Sequence, residues 1–358
     1  MTSSTALPGV LAALGLVCGA AGAQALPQYR LAQTVSLAGE GGWDYLSYEP
    51  ASQRLFIARA TRVEVIDTQR LASIGEIGDT PGVHGVALAP ELGRGYISAG
   101  ASSTIVVFDL KTLARLKDIK STGEGPDSIV YDSATQRVFA FNGRGRNATV
   151  IDAVSNEVTG TIALDAKPEE ARADGAGRVY VNLEDKNSLA VLDARTLTVQ
   201  SVIALTGCEE PSGLALNAGA RQLFAACANH VMVAVDAAAG RVLGSAPICS
   251  GPDGAGYDPG ARLAFASCGD GTLTVVAQAG SGAPRAVQTV ATQRGARTMA
   301  LDEHRHRIYL VTADYGATPA ATAEHPHPRP AILPGTFRVL VIAPRAEKPT
   351  TNPEGTGP

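Results

Sequence analysis

GEGPDSIVYDSATQRVFAFNGRGRNATVIDAVSNEVTGTIALDA, residues 123–166, holds four short apolar runs, each closed by turn residues. Residues 128–131 end at Asp132 and Ser133, 137–141 at Asn142 and Gly143, 148–151 at Asp152, and 158–164 at Asp165. Short runs rich in β-branched and aromatic residues, bounded by Gly, Asn and Asp, read as strands. Four consecutive strands make one small antiparallel sheet. Such a sheet buries too little to stand alone, so the rest of the chain must supply neighbours.

It supplies near-copies. The aromatic of the second strand recurs at Phe56, Tyr96, Phe139, Tyr180, Phe224, Phe265 and Tyr309, at spacings of 40, 43, 41, 44, 41 and 44 residues. A basic residue often stands two places earlier, as at Arg54, Arg94, Arg137, Arg178 and Arg307. Asp67, Asp109, Asp152, Asp193 and Asp236 close the third runs in the same phase. A four-strand unit with a period in the low forties predicts an all-β fold, a seven-bladed β-propeller of four-stranded antiparallel blades. A β-sandwich has no reason to keep one phase over seven units. The units read as roughly 41–80, 81–122, 123–166, 167–207, 208–250, 251–293 and 294–344.

The seventh unit shows three strands, near 298–301, 307–312 and 336–342, and no fourth. An orphan strand at residues 30–37 resembles the fourth strands elsewhere, especially 285–291. The N-terminal strand is therefore expected to complete the last blade and close the ring, removing exposed edges. The Ala-, Thr- and Pro-rich insertion 316–334 must be a loop, because Pro326, Pro328 and Pro330 forbid a helix or central strand.

Residues 10–23 are apolar and end in Ala21-Gly22-Ala23, a small-x-small cleavage pattern, so residues 1–23 read as a secretory signal peptide. No Lys or Arg precedes Arg30. The propeller is expected over 29–344 and a disordered tail over 345–358. A net charge of −4 argues against a nucleic-acid or anionic-membrane partner. Export is expected, to the periplasm or beyond, as a monomer without a membrane span.

Cleavage removes Cys18 and leaves Cys208, Cys227, Cys249 and Cys268. The even number suits disulfides in an exported protein. Cys208 to Cys227 and Cys249 to Cys268 are both 19 positions, and the two pairs sit one repeat apart. First and second strands are antiparallel neighbours about 4.5–5.5 Å apart at paired positions, which predicts Cys208–Cys227 and Cys249–Cys268. Four free thiols are the competing reading. A zinc site lacks the usual C-x-x-C.

The second strands Phe56-Ile57-Ala58-Arg59, Phe139-Ala140-Phe141-Asn142 and Tyr180-Val181-Asn182 resemble the YVTN-type β-propeller repeat. Gly42-Trp43-Asp44-Tyr45, residues 83–90 and residues 292–302 resemble exported YncE-like proteins of bacteria. The resemblance spans nearly all of the mature chain and implies a seven-bladed propeller outside the cytoplasm. It implies no settled chemistry, because propellers host many functions. Cys227 and Cys268 depart from the repeat, which often places a polar residue there.

In a propeller the first strand of each blade lines the central channel. The residues opening these strands are Asp44, His84, Asp127, Glu169, Ser212, Asp253 and Arg297. Asp44, His84, Asp127, Glu169, Asp253 and Arg297 form the expected ligand-binding ring, and a divalent cation is the candidate cofactor. Burying such charges is costly unless they are paired, hydrated or bound to a ligand. The competing reading is a water-filled channel whose charges satisfy one another. Loops on the same face offer Arg59, Arg62, Arg144, Arg146, Glu184, Asp185, Asn229, His230 and Asp314, with Glu209 and Glu210 between blades. Glu324, His325 and His327 in the insertion read as a solvated loop. The chain has no G-x-S-x-G elbow, H-E-x-x-H, Walker loop or Rossmann fingerprint, and no catalytic residue is assigned. The expected function is an exported binding or scaffold propeller, presenting a polar channel mouth to a small polar ligand or a protein partner. The alternative is a metal-dependent, lactonase-like hydrolase using the same carboxylates.

Overall fold

The aspartate that ends the third strand in each of the first five blades closes a turn. Asp67 Oδ1 accepts the amides of Gln69 and Arg70 at 2.8 and 3.0 Å. Asp109, Asp152, Asp193 and Asp236 do the same for the residues two and three places on. A short acceptor side chain satisfies amides that the turn leaves without backbone partners. Those amide bonds hold Asp67, Asp109, Asp152 and Asp193 below the usual carboxylate range.

The other repeat markers also have physical causes. All seven aromatics are buried to 1% exposure or less. They sit in cores between blades, as where Phe139 joins Val150, Val179 and Val181. The basic residue staples one blade to the next. Arg94 Nη1 donates to the carbonyls of Ala153 and Val154, both at 2.8 Å. Arg137 Nη1 reaches the carbonyls of Ala194 and Arg195 one blade later.

In the computed structural model these elements form seven four-stranded sheets. It describes residues 1, 26–37, 39–278, 280, 282–320, 322, 328 and 330–345. The expected signal peptide beyond residue 1, the tail after Arg345, and Glu324, His325 and His327 lie outside the described residues. The first six sheets span 46–77, 83–120, 126–163, 168–204, 211–247 and 252–291, each with its strands in sequence order. Second and third strands are buried on both faces, which is why they read as continuous apolar runs. Fourth strands are mostly exposed.

The seventh sheet takes Met299–Asp302, Arg307–Thr312 and Arg338–Pro344 from the C-terminal region. Its outermost strand is Tyr29–Ser36, with Tyr29 opposite Pro344 and Ser36 opposite Arg338. The same strand also touches the sixth blade. Tyr29 and Gln288 exchange two hydrogen bonds, at 2.8 and 2.7 Å. The Tyr29 ring packs edge-on against Phe265 at 5.0 Å. In the seventh blade the insertion leaves after Thr312 and is pinned at its base by a Tyr315–Ile332 bridge.

The cysteines pair as Cys208–Cys227 and Cys249–Cys268, with Cα–Cα separations of 5.4 and 5.8 Å. Cys227 and Cys268 end second strands, opposite Pro211 and Pro252. Cys208 and Cys249 lie three residues ahead of those prolines, in the link from the preceding blade, rather than inside the first strand.

Candidate functional site

The inner strands begin irregularly, and this aims the ring. In the third to sixth blades they open on Pro126, Pro168, Pro211 and Pro252, each opposite the last residue of the second strand. Proline has no amide to donate and suits a strand's first position. The register then slips over the next two or three residues in each case. A bulge re-aims the side chain it carries, here Asp127, Glu169, Ser212 and Asp253. His84 follows Val83 in the same way. In the first and seventh blades the strand is only four residues long, and Asp44 and Arg297 stand two residues ahead of it.

Neighbouring blades hold the ring carbonyls. Ser98 Oγ donates to Asp127 O and Ser267 Oγ to Arg297 O. Asn182 Nδ2 donates to Ser212 O at 3.0 Å, and Tyr45 N to His84 O at 3.1 Å. Ser98, Asn182 and Ser267 occupy one repeat position, the fifth of the second strand. A polar residue in an otherwise apolar, buried strand was the signal for this role. Only Tyr180-Val181-Asn182 displays it in the quoted likeness to the YVTN repeat.

The structure divides the ring into three groups. Asp44, His84 and Asp127 converge. His84 Nδ1 is 2.6 Å from Asp44 Oδ2 and 3.6 Å from Asp127 Oδ1. One ligand atom from each of the three lies within 4.8 Å of the others. Glu169 joins Lys167, whose ammonium lies 3.3 Å from Glu169 and also bonds Glu184. Arg297 Nε pairs with Asp253 Oδ2 at 2.9 Å. Ser212 turns its hydroxyl to Pro252 O at 2.9 Å and serves the backbone.

The protonation states follow from this crowding. Burial raises Asp127 to about 6, with Asp44 and Asp253 adding to the rise and His84 opposing it. Burial and then Asp127 raise Glu169 to about 8, against Lys167. For His84, burial disfavours the cation, but the Asp44 hydrogen bond and the charges of Asp127, Asp44 and Glu169 outweigh it and lift it to about 9. At neutral pH His84 is thus an imidazolium, in contact with Asp44 and beside the Asp127 carboxylate.

Sequence reasoning missed three channel residues. The Tyr45 phenol is pushed well above the usual tyrosine range by burial, then by Asp127, Glu169, Glu170 and Asp44. Its amide bond to His84 O puts the residue at the seam where Asp44 meets His84. Glu170, raised to about 7 chiefly by burial, accepts Leu214 N at 2.6 Å and pairs with Arg172. Arg172 Nη2 reaches on to Ala255 O at 3.1 Å, from the fourth blade to the sixth. Glu169, Glu170 and Arg172 in one short inner strand were the available signal. Beyond this brace the channel opens into a cavity of about 500 Å³ walled by Val86, Ile129, Leu216 and Tyr257.

Most of the loop residues expected to face a ligand are engaged elsewhere. Arg59 is fully buried, paired with Glu64 at 2.9 Å and stacked 3.5 Å over Phe337. Arg62 pairs with Glu76, Arg146 with Asp185 and Asp314 with Arg338. Arg144 leans on Gly100 O, Asn229 on Gly207 O and His230 on Ser250. Glu209 and Glu210 are exposed.

Fold and mouth together define a seven-bladed β-propeller with a charged axial opening. No family model matches the chain. It is similar to the uncharacterised protein YncE of Salmonella typhi and of Salmonella typhimurium, 29% identical over 130 residues to each. That stretch is 33% of this chain and 36% of the relative, so the match spans about a third of either. Over that third the chain is homologous to YncE, in keeping with its resemblance to YVTN-type propellers. Among solved structures, U3-55K superposes with a TM-score of 0.72 at 10% identity, over 88% of this chain and 99% of that one. Hydrazine synthase of Kuenenia stuttgartiensis gives 0.67 at 15%, over 83% and 96%. At such identities these likenesses speak for the fold alone.

Proposed function

We propose that this is a binding propeller of an exported compartment, whose channel mouth takes a cation or the cationic group of a small polar ligand. The carrying observation is the convergence of Asp44, His84 and Asp127 beside Glu169. His84 Nδ1 bonds Asp44 and lies 3.6 Å from Asp127, and burial, with the charges of neighbouring carboxylates, lifts Asp127 to about 6 and Glu169 to about 8. A bound cation relieves that repulsion. The paired disulfides fit a compartment outside the cytoplasm. Among the described residues no helix is long and apolar enough to cross a membrane.

The direct test is titration calorimetry with Mn²⁺, Zn²⁺ and Ca²⁺ at pH 8, with native mass spectrometry of protein taken from its own compartment. One saturable site that Asp127→Asn weakens supports the reading. Equal heats for the parent and the Asp127→Asn variant refute it. A second reading, metal-dependent hydrolysis, rests on the same three ligands. Three protein ligands with an open position are what a catalytic zinc site keeps, and Glu169 stands near as a base. Lactone or ester turnover that rises and falls with bound metal separates the two readings.

A further inference from the structure

A second pocket opens beside the ring, between the first and seventh blades. It holds about 320 Å³ and is lined by Gly42, Trp43, Arg294, Arg297, Tyr315 and Ile332. We propose that it binds an organic anion carrying a flat unsaturated ring, an aryl carboxylate or aryl phosphate. The inference does not rest on the cation site.

The walls are aromatic and held in place. Trp43 and Tyr315 both line the pocket, with ring centroids 6.2 Å apart at 53°. Phe337 backs Trp43 at 5.6 Å. Tyr315 is fixed by a glycine. Gly295 has φ +80, and a Cβ there would come within 2.0 Å of the Tyr315 hydroxyl. The Tyr315–Ile332 bridge anchors the other side.

The rim is cationic. Arg294 stacks 5.6 Å from the Tyr315 centroid and makes no ion pair with a carboxylate among the described residues. Arg297 gives Nε to Asp253 and remains 40% exposed. The two guanidiniums and one carboxylate leave a net positive rim. Guanidinium recognises planar carboxylate and phosphate groups through paired N–H donors and also stacks on aromatic faces. The volume lies at the low end for ligand pockets, which suits a single ring with one anionic group. The neighbouring carboxylates disfavour a ligand with many negative charges.

Trp43 is the chain's one tryptophan, so its fluorescence reports on this pocket alone. Benzoate, phenyl phosphate, cyclohexanecarboxylate and benzylamine are titrated against the full folded protein. A saturable change with benzoate or phenyl phosphate is expected, weaker by about tenfold or more for the saturated ring or after Arg294→Ala. Which aryl anion binds tighter decides between carboxylate and phosphate. Asp127→Asn should leave aryl-anion binding intact while removing cation binding, so failure of one site is distinguishable from failure of the other. Benzylamine binding as tightly as benzoate, or no saturable response to either aryl anion at millimolar concentration, overturns the proposal. Arg294 is exposed, and a thermal melt checks that its variant stays folded.

Discussion

His84 Nδ1 lies 2.6 Å from Asp44 Oδ2, across the seam between the first two blades. The imidazole is held charged to about pH 9, so a metal ion that takes Nδ1 must expel its proton. Binding of a transition metal should therefore release protons at pH 7 and tighten as pH rises toward 9. Below pH 6, protonation of Asp127 should weaken it further. Calorimetry in two buffers of different ionisation enthalpy measures the release directly. Identical heats in both buffers would show that His84 is not a ligand.

Glu169 gives the unliganded ring a pH signature. Its folded pKa of about 8 lies above the unfolded value of about 4.3. Below pH 4 both states are protonated and nothing is lost. Between pH 4 and 8 the unfolded chain ionises first, so stability falls, and the loss levels off above 8. Glu169→Gln removes that loss, and Lys167 keeps its other partner, Glu184. The variant should melt higher than the parent at pH 8 and close to it at pH 4. A lower melting temperature at pH 8 would mean that the Lys167 pair outweighs burial.

The disulfides tie links between blades to the ends of second strands. Each closes a span of 19 residues and contributes about 3 kcal/mol in the chain-entropy view. Replacing Cys208 and Cys227 together by Ala should lower stability by that order and leave the sixth blade's bridge intact. Non-reducing peptide maps check the pairing, and a Cys227–Cys249 link is the result that contradicts it.

The N-terminal strand is predicted to lock the ring. Tyr29–Ser36 pairs with Arg338–Pro344 and also bonds Gln288 in the sixth blade. Protein lacking residues 24–37 should lose cooperativity in thermal unfolding and expose the edge of Arg338–Pro344 to aggregation. Unchanged melting would show that the strand is dispensable.

The blades were legible because their markers carry local physics. Turn-closing aspartates, interblade arginines and buried aromatics each leave a residue at a fixed repeat position. The ring positions were legible for the same reason. Their pairings were not, because Asp44 meets His84 across a seam and Arg297 meets Asp253 across another. Neither contact follows from the order of residues within one blade. Tyr45 and Arg172 escaped because they depart from the repeat, and period-based reading sees only what recurs. Arg59 was misassigned to the ligand face because a charged strand end reads as exposed. Glu64 and the Phe337 ring instead compensate its burial.

Arg297 joins the two proposed sites, and its removal should push them in opposite directions. It neutralises Asp253 at 2.9 Å on the acidic side and lines the aromatic pocket on the other. Arg297→Ala leaves the Asp253 carboxylate without this partner next to Asp127, whose ionisation Asp253 already opposes. The unliganded mouth becomes more negative, so a divalent cation should bind several-fold tighter while aryl-anion binding falls by about tenfold. Stability should drop modestly, since the pair is about a third exposed on either side and screened by water. Calorimetry with Mn²⁺ and fluorescence titration with benzoate on the same preparation read both effects. If cation affinity falls with anion affinity, Arg297 is organising the mouth as a whole rather than balancing its charge. If neither changes, the ring is structural and the binding surface lies elsewhere.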